Sequence, residues 1–278
     1  MKMIEGSIVA RDGVELQWTG WLPARARARA KIMVIHGFGE HVGRYKNVVS
    51  QLVPRGIAVM GCDLRGHGRS QGQRGHVDQF EQFVADNADF YKEIVAETAA
   101  GKPLFVLGHS MGSIIAMHYA LAGNEMDGLV LSGIGAGSPL DSPVKNALGR
   151  LLSAVSPRKE MDFPLSPEFI SRDEDVVEEY KKDPLVHNRV SFRLAAELGR
   201  AHKQAVSALD KITNPTLVQC GGDDSSFTGQ QKLYQRLASD DKKLCVYPCL
   251  RHEVYNELPS AREKVLSDLS EWLEEHIQ

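Results

Sequence analysis

Six short runs of apolar residues, at 31–36, 56–63, 104–108, 129–132, 216–220 and 243–247, constrain this chain more than any other feature. They are continuous rather than alternating, which implies burial on both faces and is the habit of strands in a parallel sheet. Amphipathic stretches separate them. Over 80–95, Phe80, Phe83, Val84, Tyr91, Ile94 and Val95 recur at helical spacing, with Asp86, Asp89, Lys92 and Glu93 between them. Strands alternating with helices predict an α/β protein with a mostly parallel, doubly wound sheet. Ahead of that pattern, 4–10 and 14–21 read as a hairpin turning at Arg11-Asp12-Gly13.

The rhythm breaks between about 136 and 210. No clear strand is legible there, and prolines fall at 139, 143, 157, 164, 167 and 184. Val144, Leu148, Leu151, Leu152 and Val155 form one apolar stripe, and 173–182 is a highly charged helix-like run. An insertion of roughly 70 residues beside the strand ends reads as a cap over a site, because α/β sheets bind ligands in that crevice. The chain therefore divides into a core at 1–135, a helical cap at 136–210 and the rest of the core at 211–278. The stripe either packs inward or makes a transient contact with a membrane surface. The basic stretch 23–31 reads as a solvated connection between strands.

Composition removes several function classes. The 278 residues carry a net charge of −3, without the basic excess that nucleic-acid binding requires. No run approaches 18 apolar residues, so no transmembrane segment is expected, and the first residues lack the apolar core of a signal peptide. Cys62, Cys220, Cys245 and Cys249 show no zinc-ligand spacing. Cys245 and Cys249, if extended, lie roughly 13 Å apart, too far for a disulfide. Reduced thiols and a cytoplasmic location are expected, peripheral at a membrane if the cap touches one. Oligomeric state is not legible.

The chemistry is carried by Gly108-His109-Ser110-Met111-Gly112, which follows one apolar run and opens a helix-like one. A G-x-S-x-G between strand and helix is a nucleophile elbow: the serine sits on a strained turn at a helix N-terminus, where developing negative charge is favoured. A serine hydroxyl needs a base and an orienting acid, and on such folds these follow in the order acid, then histidine. Of the downstream histidines, His118 lies in the helix behind the serine, His187 and His202 in the insertion and His276 at the frayed terminus, which leaves His252, just after the last predicted strand. The acid lies in Cys220-Gly-Gly-Asp223-Asp224, where spacing from Gly221 favours Asp224 over Asp223. The amides of Met111 and of Phe38, in the loop after the third strand, are the expected oxyanion donors. No metal or organic cofactor is called for.

His36-Gly-Phe-Gly-Glu-His-Val-Gly-Arg-Tyr45 resembles the H-G-x-G-E-H-x-x-R-Y segment of monoacylglycerol lipases and lysophospholipase-type α/β-hydrolases. Asp63-Leu-Arg-Gly-His-Gly-Arg-Ser70, the G-x-x-D at 221–224 and His252-Glu-Val-Tyr-Asn-Glu257 match in order. Ser171-Arg-Asp to Tyr180 and Asp183-Pro-Leu-Val186 are similar to the bacterial branch. The resemblance spans nearly the whole chain. It implies an α/β-hydrolase fold and hydrolysis of a small lipid-like ester with one fatty acyl chain, through Ser110, Asp224 and His252. It also makes Glu40 and Arg44 candidates to hold a glycerol head group; an ion pair at the start of the first helix is the competing reading. Two departures stand out: Ser113 replaces a usual glycine, and Ser225-Ser226-Phe227 replaces a usual hydrophobic pair after the acid.

Rival readings share the fold. A general carboxylesterase or lysophospholipase would use the same triad. An aminopeptidase or amidase would add an acidic site for a free amine, for which Glu160, Glu168, Asp173, Glu174 and Asp175 are available. Epoxide and haloalkane hydrolysis are disfavoured by serine at 110. A ligand receptor reusing the fold is the non-enzyme alternative.

Overall fold

The structure, a computed structural model, describes residues 1–24, 27–137, 143–163 and 166–277, with the backbone alone for 143–148. Arg25, Pro139 and Pro164, and the side chains of Val144 and Leu148, lie outside the described residues. Strands β1 (Lys2–Val9) and β2 (Glu15–Leu22) form an antiparallel hairpin. It turns through Gly13 at φ +85°, a left-handed conformation that glycine adopts without strain. Then follow β3 (Ala30–Ile35), α1 (Lys46–Leu52), β4 (Ile57–Cys62), α2 (Glu81–Phe90), β5 (Leu104–His109), α3 (Met111–Leu121) and β6 (Gly128–Ser132).

The eight-stranded sheet is completed by β9 (Thr216–Gly221) and β10 (Lys242–Tyr247), with α7 (Gln230–Arg236) between them and α8 (Pro259–His276) closing the chain. Its order is β1-β2-β4-β3-β5-β6-β9-β10; only β1–β2 and β2–β4 pair antiparallel. Every residue of β3, β4, β5, β6 and β9 is buried. Successive side chains point to opposite faces, so both sides of these strands need cover. Ile32, Val34, Phe105, Leu107 and Val130 pack with α1 and α8, where Trp272 meets Phe105 edge-on. Met33, Ile35, Val106, Leu129 and Leu131 pack on the other face with α2, α3 and Leu233 of α7. The edge strand β10 is only half-buried.

Between β6 and β9 runs the insertion. It holds α4 (Pro143–Val155), β7 (Glu160–Asp162), α5 (Glu174–Lys182), β8 (Arg189–Ser191) and α6 (Phe192–Ser207). Contrary to the strandless reading, β7 and β8 pair antiparallel as a separate two-stranded sheet. Asp173 caps α5, accepting the Asp175 N–H at 3.1 Å, and acids in its first turn and lysines in its last suit the helix dipole. Ser191 caps α6 by accepting the Leu194 N–H at 3.0 Å. Leu194, Leu198, Ala201, His202 and Ala205 then share its buried face. On α4, Leu151 and Val155 are exposed, so this part of the stripe does not pack inward.

All four thiols are free; Cys62 and Cys220 are buried, Cys245 is half-buried and Cys249 is exposed. Among the described residues no helix is long and apolar enough to cross a membrane.

Candidate active site

The turn from β5 into α3 sets Ser110 at φ 55°, ψ −118°, a strained positive-φ backbone conformation that serine rarely adopts. Strand and helix approach so closely that larger neighbours have no room. A Cβ on Gly108 would lie 2.3 Å from Gly112 O, and one on Gly112 would lie 2.0 Å from Ile35 O. The elbow is tied to β6: Ser110 N–H donates to Ser132 O at 2.9 Å. The buried Ser113 hydroxyl donates toward Gly108 O (2.7 Å) and Ser132 O (2.9 Å) and accepts Ser132 N–H at 3.1 Å. Ser113 thus replaces the usual glycine with a side chain that stitches the elbow to the sheet.

Of the two adjacent aspartates, Asp224 meets the imidazole: its carboxylate lies 2.8 Å from His252 Nδ1, with both residues buried. Asp224 also accepts Ser226 N–H at 2.7 Å. Asp223 points away and pairs with Arg172. Burial opposes charge on His252, but the Asp224 carboxylate beside it prevails and raises the imidazole pKa. Burial likewise pushes Asp224 up, and the charge and hydrogen bond of His252 overcome that, leaving it below the ordinary value. Phe169 lies 5.1 Å from the His252 ring, ring centre to ring centre, and Phe227 stacks at 6.2 Å. Nearby His109 is held neutral, burial and His252 lowering its pKa to about 3.

The loop carrying Phe38 is fixed by Glu40, whose Oε1 accepts Gly37 N–H at 2.6 Å and the Tyr45 hydroxyl at 3.0 Å. Arg44 donates to Glu40 at 3.1 Å and to both oxygens of Glu253, at 2.5 and 2.8 Å. Its guanidinium also lies 4.7 Å from the Tyr180 ring centre of the insertion. Glu40 and Arg44 therefore do form an ion pair, with Glu253 as its third member. Burial raises the Glu40 pKa despite Arg44, whereas the bidentate bond to Arg44 overcomes burial at Glu253 and lowers it. Sequence reasoning gave no site role to Glu253, although it follows His252 directly, or to Tyr180, which ends a segment noted only for its resemblance. The other downstream histidines are engaged elsewhere: His118 with Ala201 O, His187 with Gly66 O, His202 with Gly135 O and His276 with Asp241.

Ser110, Met111, Phe38 and His252 face one cavity of about 120 Å³. Its wall is mainly apolar: Ile114 from the core, and Phe163, Phe169, Ile170 and Leu198 from the insertion. Such a site suits an alkyl chain with a few placed polar groups. None of Glu160, Glu168, Asp173, Glu174 and Asp175 lines it; the carboxylates that do, Glu40 and Glu253, are engaged by Arg44. Among the described residues no cluster of three or more His, Cys, Asp or Glu could hold a metal.

The family described as "Serine aminopeptidase, S33" matches residues 26–259. A monoacylglycerol lipase of Mycolicibacterium smegmatis is 36% identical, the match covering 98% of each chain. An uncharacterized abhydrolase domain-containing protein of Dictyostelium discoideum is 34% identical over 98% of this chain, which spans 29% of that longer protein. The solved structure of a soluble variant of monoglyceride lipase from Saccharomyces cerevisiae, in complex with a substrate analog, superposes with a TM-score of 0.87 at 26% identity, covering 96% of this chain and 94% of that one. The elbow, the doubly wound sheet and these likenesses agree, and the chain belongs to the serine aminopeptidase S33 family of α/β-hydrolases, with monoacylglycerol lipases among its relatives.

Proposed function

We propose that this serine ester hydrolase cleaves esters of a single fatty acyl chain, with monoacylglycerol as the substrate that suits the site best. The carrying observation is the buried Asp224–His252 pair opening onto the same apolar cavity as Ser110. Ser110 attacks the carbonyl, His252 takes its proton and returns it to the leaving alcohol, and Asp224 holds the imidazole in place. The amides of Phe38 and Met111 hold the oxyanion, each donor contributing on the order of 3 kcal/mol in the transition state. Water, activated by His252, then releases the acid from acyl-Ser110.

The segment 136–210 acts as the cap that supplies the apolar wall. Glu40 and Arg44 steady the loop that carries Phe38 instead of holding a glycerol head group, since the recess they border with Tyr255 and Asn256 has room for about one water. Engagement of Glu40 and Glu253 by Arg44 leaves no free carboxylate for a substrate ammonium among the described residues of the cavity wall, which favours esters over aminoacyl amides. The enzyme works in the cytoplasm and meets lipid through Leu151 and Val155, exposed one turn apart on α4. Loss of vesicle co-flotation in the Leu151→Ser/Val155→Ser variant is the expected result for that contact; unaltered flotation removes it.

One panel tests the reading: mono-, di- and triacylglycerols, lysophospholipids and aminoacyl amides, with wild type and Ser110→Ala. Monoacylglycerol turnover that disappears with Ser110, together with fluorophosphonate labelling of that residue, is expected. Full hydrolysis by Ser110→Ala overturns the mechanism, and preferred cleavage of the amides overturns the substrate class.

A further inference from the structure

Two buried polar side chains of the cavity wall have no part in the mechanism above. His202, on α6, is 1% exposed and lines the cavity. Its Nε2 lies 2.9 Å from Gly135 O and donates to it, and in the tautomer protonated at Nε2 alone Nδ1 is a hydrogen-bond acceptor. Ser226, 3% exposed, also lines the cavity, and its hydroxyl has no hydrogen-bond partner among the described residues. Its backbone N–H is already committed to Asp224.

Both residues line the cavity and are linked through Phe227. Phe227, next after Ser226, lies 5.5 Å from the His202 ring. The segment after it pairs with the one that anchors His202: Gly137 and Thr228 exchange hydrogen bonds at 2.9 and 3.1 Å. The surrounding wall is Ile114, Leu198 and Phe227. Chains of the family resembled here carry a hydrophobic pair after the acid, so the Ser226 hydroxyl is a departure. Buried polar groups are normally hydrogen-bonded, and a pocket made for alkyl chains alone gains nothing from these two.

We propose that His202 and Ser226 form a subsite for a hydroxyl group carried by the substrate away from the scissile ester. Such a hydroxyl donates to His202 Nδ1 or, after rotation about the serine side-chain bond, accepts from the Ser226 hydroxyl. An unsubstituted alkyl chain leaves both unpaired. The hydroxyl comes from an oxygenated acyl chain or from the glycerol moiety. This subsite rests on the ester hydrolase reading and narrows its substrate class.

The test measures kcat/KM for p-nitrophenyl decanoate against p-nitrophenyl ω-hydroxydecanoate, and for methyl decanoate against monodecanoylglycerol. Wild type, Ser226→Ala and His202→Phe are compared through the hydroxylated-to-plain ratio within each pair. An acyl hydroxyl predicts that the first ratio falls about tenfold in either variant. A glycerol hydroxyl predicts the same fall in the second ratio alone. If both ratios are the same in wild type and variants, the subsite does not exist; Ser226→Ala decides alone if His202→Phe does not fold. Failure of wild type to cleave any of the four esters, or to label with a fluorophosphonate, is a different result and overturns the hydrolase reading beneath the subsite.

Discussion

The backbone N–H of His187 donates to the carbonyl of Gly39 at 2.9 Å, fastening the insertion to the turn that carries Phe38. The ring of His187 meets that of Phe38 edge-on at 5.6 Å, and Asp183 lies 2.9 Å from His41. Gly39 has φ +74°, and a Cβ there would stand 2.2 Å from His187 O. Gly39→Ala is therefore strained in its backbone and pushes the insertion off the loop. Its kcat/KM for a monoacylglycerol should fall at least tenfold, with about 1–3 kcal/mol lost in urea unfolding. Wild-type turnover in this variant would show that the loop tolerates displacement.

In the proposed mechanism His252 must be neutral to take the proton of Ser110, and the Asp224 carboxylate raises its pKa against the effect of burial. Activity should thus rise with pH through a midpoint above 6.5, the ordinary imidazole value. In Asp224→Asn burial acts without the carboxylate, so the midpoint of the residual rate moves down. A midpoint that stays put or climbs in that variant contradicts the electrostatic account.

Glu253→Ala removes the bidentate partner of a buried guanidinium and leaves Arg44 with Glu40 alone. Breaking such a pair costs about 3 kcal/mol, to be read from denaturant unfolding near neutral pH. Glu253 titrates below its ordinary 4.5, at about 2. The stability difference between wild type and variant holds above the ordinary value and narrows as the solution is acidified through the lowered one. A difference that widens in acid has the wrong sign for this pair.

Ser113→Ala leaves the Ser132 N–H without the hydroxyl that accepts it and removes the stitch to Gly108 O. The expected loss is about 1–3 kcal/mol of stability. Fluorophosphonate labelling of Ser110 should slow as well, with KM for esters little altered. Slower labelling is absent if Ser113 merely fills space.

The central strands were legible because two-sided burial leaves an unbroken apolar run, a signal that needs no knowledge of partners. The elbow and Asp224 were legible because chain order and spacing follow from the sheet's connectivity. Strands β7 and β8 were not: three residues each, with Glu160, Asp162 and Arg189 among them, they exist only by pairing across 27 or more residues. The helix read over 80–95 passes from α2 into a wider π-helical turn at Tyr91–Val95, a change too short to disturb the apolar spacing. The Glu253–Arg44 bond was hidden for a similar reason, since 209 positions separate its partners. What a window of neighbours decides can be read from the chain; what distant segments decide together needs the fold.

Strands β6 and β9 are hydrogen-bonded neighbours, Leu129 beside Thr216 and Ser132 beside Gln219, although the whole insertion lies between them in the chain. The excursion therefore leaves and rejoins the sheet at one seam. Exchanging it for a segment of another length alters no pairing of the eight-stranded sheet and adds little closure entropy. Grafting at this seam changes the wall that the insertion gives the cavity, while Ser110, Asp224 and His252, carried on the segments that follow β5, β9 and β10, keep their platform.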